Sequence, residues 1–211
     1  MKASIILPAY NEEKNIASVI EKVPSRHEII VVDDGSTDRT LEVAKNLGCN
    51  CIRLSRNMGK GFACRTGVKI ATNDKLVFMD SDGQLDAGEI PKMLSTLKKC
   101  GLAVGVRDIN DIPSQRKISN IFAKFVMSRA AGKKLGDVLC GFRAIKKEDF
   151  LNLNLRKKRY EIEAEMIINA VKNNLKIKEV PVSVCYGIGS SMPLNDSLKV
   201  TSYILGKALL R

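Results

Sequence analysis

Five short apolar runs punctuate the first 106 residues, and an amphipathic stretch follows each of the first four. The runs are Ala3–Leu7, Glu28–Val32, Cys51–Leu54, Lys75–Met79 and Leu102–Val106. Unbroken apolar runs suit strands covered on both faces, as in a parallel sheet. The stretches between them, Glu12–Val23, Thr37–Leu47, Lys60–Ala71 and Ala87–Lys98, carry apolar residues at helical spacing. In the first, Ile16, Val19, Ile20 and Val23 share a face. Ser36 or Thr37 offers a hydroxyl to cap the second. Such regular alternation predicts an α/β fold built on a doubly wound, mostly parallel sheet. Sheets of this kind bind ligands at the carboxyl ends of their strands.

The fourth run reaches that edge as VFMDSDGQ, residues 77–84, and stops at two aspartates one residue apart. Asp80 and Asp82, leaving a strand into a turn, can both face one hard cation. Mg²⁺ or Mn²⁺ held by few carboxylates keeps positions open for phosphate oxygens. Gln84 adds a neutral oxygen on the same turn. Asp, Ser and Gly are also ordinary turn formers, so on this octapeptide alone a metal pair and an acidic turn are equally good readings.

Composition narrows the partners. The 211 residues carry 35 Lys and Arg against 23 Asp and Glu, a net charge of +12. That surplus points to an anionic partner, whether phosphorylated substrate, anionic lipid or nucleic acid. Nucleic acid fits poorly, because aromatic residues make up 5% of the chain and do not interleave with the basic ones. Six cysteines form no CxxC pair, and His27 is the single histidine, which disfavours zinc and favours free thiols in a reducing compartment. No apolar stretch approaches the roughly 20 residues that span a bilayer, and the N-terminus lacks signal-peptide features. The expectation is a cytoplasmic protein, peripheral on the cytoplasmic face of a membrane.

Three further strand ends join the aspartate pair. Pro8-Ala9-Tyr10-Asn11-Glu12 follows the first run and Asp33-Asp34-Gly35-Ser36-Thr37-Asp38 the second. An aspartate at a strand end can accept from a ribose hydroxyl or a base. Arg56-Asn57-Met58-Gly59-Lys60-Gly61 opens a helix whose amides and dipole suit a phosphate. Neither GxxxxGK[ST] nor GxGxxG is present. Each turn alone is weak evidence; four in order are not readily explained by turn chemistry.

Taken together, PAYNEEKNI, VVDDGSTDRT, RNMGKGFACRTG and FMDSDGQLD resemble the family 2 glycosyltransferases of the GT-A fold. The resemblance implies a single domain, residues 1–211, with a nucleotide-sugar-binding half at 1–107 and an acceptor-binding, membrane-facing half at 108–211. It puts Pro8, Ala9, Tyr10, Glu12, Asp33, Asp34, Lys60, Asp80 and Ser81 around the nucleotide. It puts Asp80, Asp82 and Gln84 on Mg²⁺ or Mn²⁺ at the donor diphosphate.

In the second half, Gly105-Val106-Arg107, Arg116-Lys117-Ile118-Ser119-Asn120 and Asp137-Val138-Leu139-Cys140-Gly141-Phe142-Arg143-Ala144 are similar to the dolichol-phosphate mannosyltransferase branch. The last departs from the usual D-x-x-S-G-F-R-A pattern at Cys140. Tyr186–Ser191 keeps the small residues of another of the branch's motifs without its arginine. The resemblance implies an acceptor-phosphate cradle of Arg107, Arg116, Ser119, Cys140 and Arg143, with Asp82, Arg107 and Arg143 the residues that act in transfer. Guanidinium forks suit phosphate, and an ionised phosphomonoester needs no general base. The implied reaction is inverting transfer of a hexose, mannose from GDP-mannose, to dolichyl or polyprenyl phosphate at an anionic membrane surface. The amphipathic helices expected at Ser114–Ala131 and Asn195–Arg211 carry basic residues fit for that surface. Alternatives are a UDP donor of glucose or N-acetylglucosamine, a hydroxyl acceptor with Asp137 or Glu163 as base, and a binding protein without turnover.

Overall fold

A computed structural model describes residues 1–108, 121, 124, 125, 128, 129, 135–137, 139–185 and 194–208. Its elements run β1 (Ser4–Ala9), α1 (Ile16–Lys22), β2 (Glu28–Asp33), α2 (Thr40–Asn46), β3 (Asn50–Arg53), α3 (Lys60–Ile70), β4 (Lys75–Phe78), a 3₁₀ turn (Ala87–Glu89), α4 (Ile90–Leu97) and β5 (Leu102–Val106). After these come β6 (Arg143–Lys146), α5 (Lys147–Asn152), α6 (Glu161–Lys172), β7 (Ile177–Pro181) and α7 (Leu194–Ala208). The seven strands form one sheet in the order β3-β2-β1-β4-β6-β5-β7. All neighbours pair in parallel except at β6, which runs antiparallel to both β4 and β5. The architecture is therefore α/β with a mostly parallel sheet.

The apolar runs are continuous because both faces of the sheet are covered. Ile6, Ile30, Val32, Leu76 and Phe78 pack on one side with Ala63, Val68 and the apolar face of α6. Ile5, Leu7, Val31, Val77 and Met79 pack on the other with Val19, Ile90 and Met93. Neighbouring residues of one strand thus enter opposite cores.

Several helix starts differ from the sequence expectation for a local reason. The α1 helix begins at Ile16 rather than Glu12 because the main-chain amides of Glu12 and Glu13 donate to Thr40 Oγ1 (2.7 Å) and Asp38 Oδ2 (3.1 Å). The α2 helix begins at Thr40 rather than Thr37. Ser36 Oγ does not cap it but accepts from Asn11 N, and Asp38 accepts from Thr40 N. Both turns are stitched to each other instead of continuing their helices. The region Asp137–Lys146 holds strand β6, which the sequence showed only as a short segment. Most of the helix expected at Ser114–Ala131, and Tyr186–Ser191, lie outside the described residues. Among the described residues no helix is long and apolar enough to cross a membrane.

His27 is buried just before β2. Burial, together with Arg26 and the amino terminus, pushes its imidazole below the ordinary range. The unfolded chain then takes up this proton more readily than the folded one, so stability falls as the pH drops through about 6.5. His27→Phe is expected to flatten that part of the profile in denaturant unfolding between pH 7.5 and 5. An unchanged slope would contradict the assignment.

Candidate active site

The carboxyl ends of β1, β2 and β4 meet as one polar edge. Ser81 Oγ donates to the Pro8 carbonyl at 2.8 Å, tying the turn after β4 to β1. Ala9 is buried at the end of β1 and Tyr10 beside it is exposed. Glu12 is buried and accepts from Asn15 Nδ2 at 2.7 Å. Asp33 closes β2, with Oδ1 accepting from Ser36 N at 3.0 Å and Oδ2 lying 3.6 Å from Arg53 Nε.

Asp34 has a different occupation from the expected open nucleotide contact. Its two oxygens accept from Met58 N (2.6 Å) and Gly59 N (2.8 Å), so it pins the turn that opens α3. Burial raises its carboxyl in spite of those amides. Gly59 has φ +96°, and a Cβ there would stand 2.5 Å from the Lys158 carbonyl. Only glycine fits that conformation and that contact.

Lys60 follows, and its ammonium turns inward rather than toward the open edge. It pairs with Asp80 Oδ1 and, at 2.6 Å, with Glu163 Oε1 on α6, while Tyr160 presents its ring 5.7 Å away. Burial alone would lower the lysine; the two carboxylates outweigh it and hold the ammonium well above its ordinary range. Gly141 lies against Asp80 so closely that a Cβ would meet Oδ2 at 2.4 Å.

Asp82 Oδ1 accepts from Gln84 N at 3.0 Å, the geometry of an acidic turn, and the Gln84 carbonyl accepts from Cys185 N at 2.9 Å. Burial first, then Asp80 and Glu12, push the Asp82 carboxyl up to about 7 against the pull of the Gln84 amide and Lys60. A carboxylate raised by burial and by acidic neighbours is one whose charge a bound cation would relieve. That donor set fits a hard divalent cation bound through Asp80 and Asp82 with substrate oxygens completing its shell. Among the described residues no three acidic, His or Cys side chains converge as a ready-made cage.

Of the residues expected to hold the acceptor phosphate, Arg107 follows β5 and grips Asp137 through two bonds, one of them Nη2 to Oδ1 at 3.1 Å. It also lines a cleft of about 460 Å³ that opens at the ends of β5 and β7 and includes neither Asp80 nor Asp82. Arg143 and Cys140 depart from the expected open cradle, since both are 1% exposed. Arg143 Nε donates to the Cys140 carbonyl (3.1 Å) and Nη1 to the Glu163 carbonyl (2.5 Å). It braces the loop before β6 against α6. Burial pushes the Cys140 thiol up to about 12, leaving it a neutral core group. Arg116 and Ser119 lie outside the described residues.

The pairing of Glu163 with Lys60 was not expected, although its signal was present. Glu161, Glu163 and Glu165 alternate on a helix, where residues two apart face opposite ways. Glu163 shares its face with Met166 and Ile167, three and four residues on, and is buried with them. Glu165, also buried, accepts from Arg156 N and Lys157 N and holds the basic run Arg156–Arg159 against the start of α3.

Comparison with known proteins follows this geometry. The family model described as Glycosyl transferase family 2 matches residues 4–153. The UDP-N-acetylglucosamine–dolichyl-phosphate N-acetylglucosaminyltransferase of Methanococcus voltae is 32% identical over 86% of this chain and 85% of its own length. The dolichol-phosphate mannosyltransferase of Pyrococcus furiosus is 32% identical over 86% of this chain and 56% of its own length. The fold also matches glucosyl-3-phosphoglycerate synthase from Mycobacterium tuberculosis, solved with Mn²⁺, UDP and glucosyl-3-phosphoglycerate. The TM-score is 0.80 at 22% identity, covering 99% of this chain and 79% of that one.

The raised Asp82 carboxyl has a measurable consequence. The unfolded chain loses that proton near pH 4 (about 3.9), the folded chain near 7, so stability falls as the pH rises between them. Asp82→Asn keeps the turn acceptor and removes the charge. It is expected to stabilise the metal-free protein by about 1–2 kcal/mol at pH 8 in urea unfolding, after allowance for solvent screening, with the gain vanishing toward pH 4. A variant less stable than the parent at pH 8 would contradict the assignment.

Proposed function

Because the chain belongs to glycosyl transferase family 2, we propose that it moves a hexose from a nucleoside diphosphate sugar to the phosphate of a dolichyl or other polyprenyl phosphate. The observation that carries the phosphate acceptor is the state of the two carboxylates a hydroxyl acceptor would need as base. Asp137 is gripped by the Arg107 guanidinium, and Glu163 is paired with Lys60. Both side chains are buried and held by a cation, so neither is presented to an acceptor hydroxyl. A phosphomonoester, with a second pKa of about 6, arrives already charged. The polyprenyl-type acceptors in the names of both relatives support the same class.

On this reading an acceptor phosphate oxygen attacks the anomeric carbon from the face opposite the diphosphate. The bond from that carbon to the β-phosphate oxygen breaks, the electron pair leaves with the nucleoside diphosphate, and configuration inverts. Mg²⁺ or Mn²⁺ at Asp80 and Asp82, when bound, offsets the charge developing on the leaving group. Gln84 N keeps Asp82 aimed, and Asp34 keeps the amides at the start of α3 in place. Pro8, Ala9, Tyr10, Glu12 and Asp33 surround the nucleotide. Arg107, with Arg116 and Ser119, holds the acceptor phosphate. Arg143 acts as a brace behind them. The basic amphipathic helices expected at Ser114–Ala131 and Asn195–Arg211 settle the protein on an anionic membrane surface, at its cytoplasmic face.

The donor proposed is GDP-mannose. UDP-N-acetylglucosamine is the second reading, favoured by one observation: the N-acetylglucosaminyltransferase relative aligns over 85% of its length and the mannosyltransferase over 56%.

The test is transfer of radiolabel from GDP-mannose, UDP-N-acetylglucosamine and UDP-glucose to a short-chain polyprenyl phosphate, beside the same polyprenol without phosphate. Label is expected on the phosphate alone; transfer to the free alcohol would overturn the phosphate-acceptor reading. Arg107→Ala is expected to raise the acceptor KM about tenfold or more while donor affinity holds, in keeping with the loss of a charge-assisted contact. An unchanged acceptor KM would remove Arg107 from the cradle.

A further inference from the structure

Lys60 Nζ stands between carboxylates from two different elements, Asp80 at the end of β4 and Glu163 on α6. Its side chain is 14% exposed, so water does little to screen either pair. The two partners are unequal in freedom. Asp80 lies against Gly141. Glu163 is fixed at its main chain by Arg143, yet its Oε2 is buried with no hydrogen-bond partner. A buried carboxylate oxygen left unpartnered is an unfilled acceptor.

The surrounding charge is also unbalanced. Four acidic side chains, Asp80, Asp82, Glu12 and Glu163, gather here around two basic ones, Lys60 and Arg143. A cation arriving at Asp80 meets the ammonium already there and repels it. The ammonium has a second carboxylate within bonding distance, with a free oxygen to take it.

We propose that Lys60 is the resident counter-cation of Asp80, displaced when a divalent cation binds, and that Glu163 is the positioning residue that receives it. This rests on the reading of Asp80 and Asp82 as the metal-binding pair. Lys60 keeps Asp80 in place between turnovers and moves by a fraction of its own length toward Glu163 when the donor complex forms. The buried charge therefore never stands alone.

The test is binding of Mn²⁺ alone, followed by loss of the free-ion electron paramagnetic resonance signal. It uses the parent protein, Lys60→Met, Glu163→Gln and the double variant, with melting temperatures as folding controls. Removing the competing ammonium in Lys60→Met should tighten Mn²⁺ about tenfold, the size of one pKa unit of charge interaction. Glu163→Gln should weaken it about tenfold while Lys60 is present, and by less than about threefold in the Lys60→Met background, a coupling that plain charge removal does not produce. Equal effects of Glu163→Gln in the two backgrounds, or weaker binding by Lys60→Met, would overturn the relay and leave the metal reading standing. No Mn²⁺ uptake by the parent protein would overturn both. If Lys60→Met does not fold, the ¹⁵N-lysine signal of Lys60 in the parent protein decides instead. It should shift on addition of Mg²⁺, and an unmoved signal overturns the relay.

Discussion

One ammonium group, Lys60 Nζ, joins the start of α3, the turn after β4 and the first turn of α6 through Asp80 and Glu163. These three elements come from separate parts of the chain, and the sheet edge where they meet is where ligand chemistry belongs in a parallel α/β protein. A buried cluster of this kind is an uncertain source of net stability, because desolvating the charges offsets much of their attraction. What it enforces is arrangement. Removing one partner leaves a buried charge uncompensated, at about 3–5 kcal/mol, so alternative packings of α6 against the sheet are strongly disfavoured.

The same arrangement separates structural carboxylates from reactive ones. Asp33, Asp34 and Asp38 are engaged by main-chain amides of the turns they shape. Asp137 is engaged by Arg107. Asp82 sits in an environment that resists its charge, and that resistance is relieved by a cation. Of these carboxylates, only Asp82 is pushed up both by burial and by two acidic neighbours, Asp80 and Glu12.

The fold was readable where burial decides conformation. Runs such as Ile5–Leu7 and Ile30–Val32 are covered on both faces, and a strand of that kind leaves an unbroken apolar record. Leu102–Val106 begins and ends where the residue pattern puts it. Readability failed where partners distant in sequence decide. The antiparallel strand Arg143–Lys146 is four residues long, bears charge at both ends and exists because β4 and β5 flank it. At the site, the aspartate pair and the glycine turn were visible as residue types. The orientation of Lys60 was not, since a lysine opening a helix reads as an anion contact until Glu163 is seen behind it. Arg143 shows the same limit. A guanidinium suits a phosphate and a pair of carbonyls equally, and only the 1% exposure distinguishes them.

The proposed reaction requires that the turn Asp80–Gln84 hold a divalent cation on the donor diphosphate. The most direct measurement is the anomalous difference map of crystals grown with Mn²⁺ and GDP, and in parallel UDP. One strong peak is expected within bonding distance of Asp82 and Asp80 carboxylate oxygens, shared with the diphosphate. A peak at Asp33 or Asp137, or nucleotide bound at the edge of β1 and β2 with no ion at that turn, would contradict it.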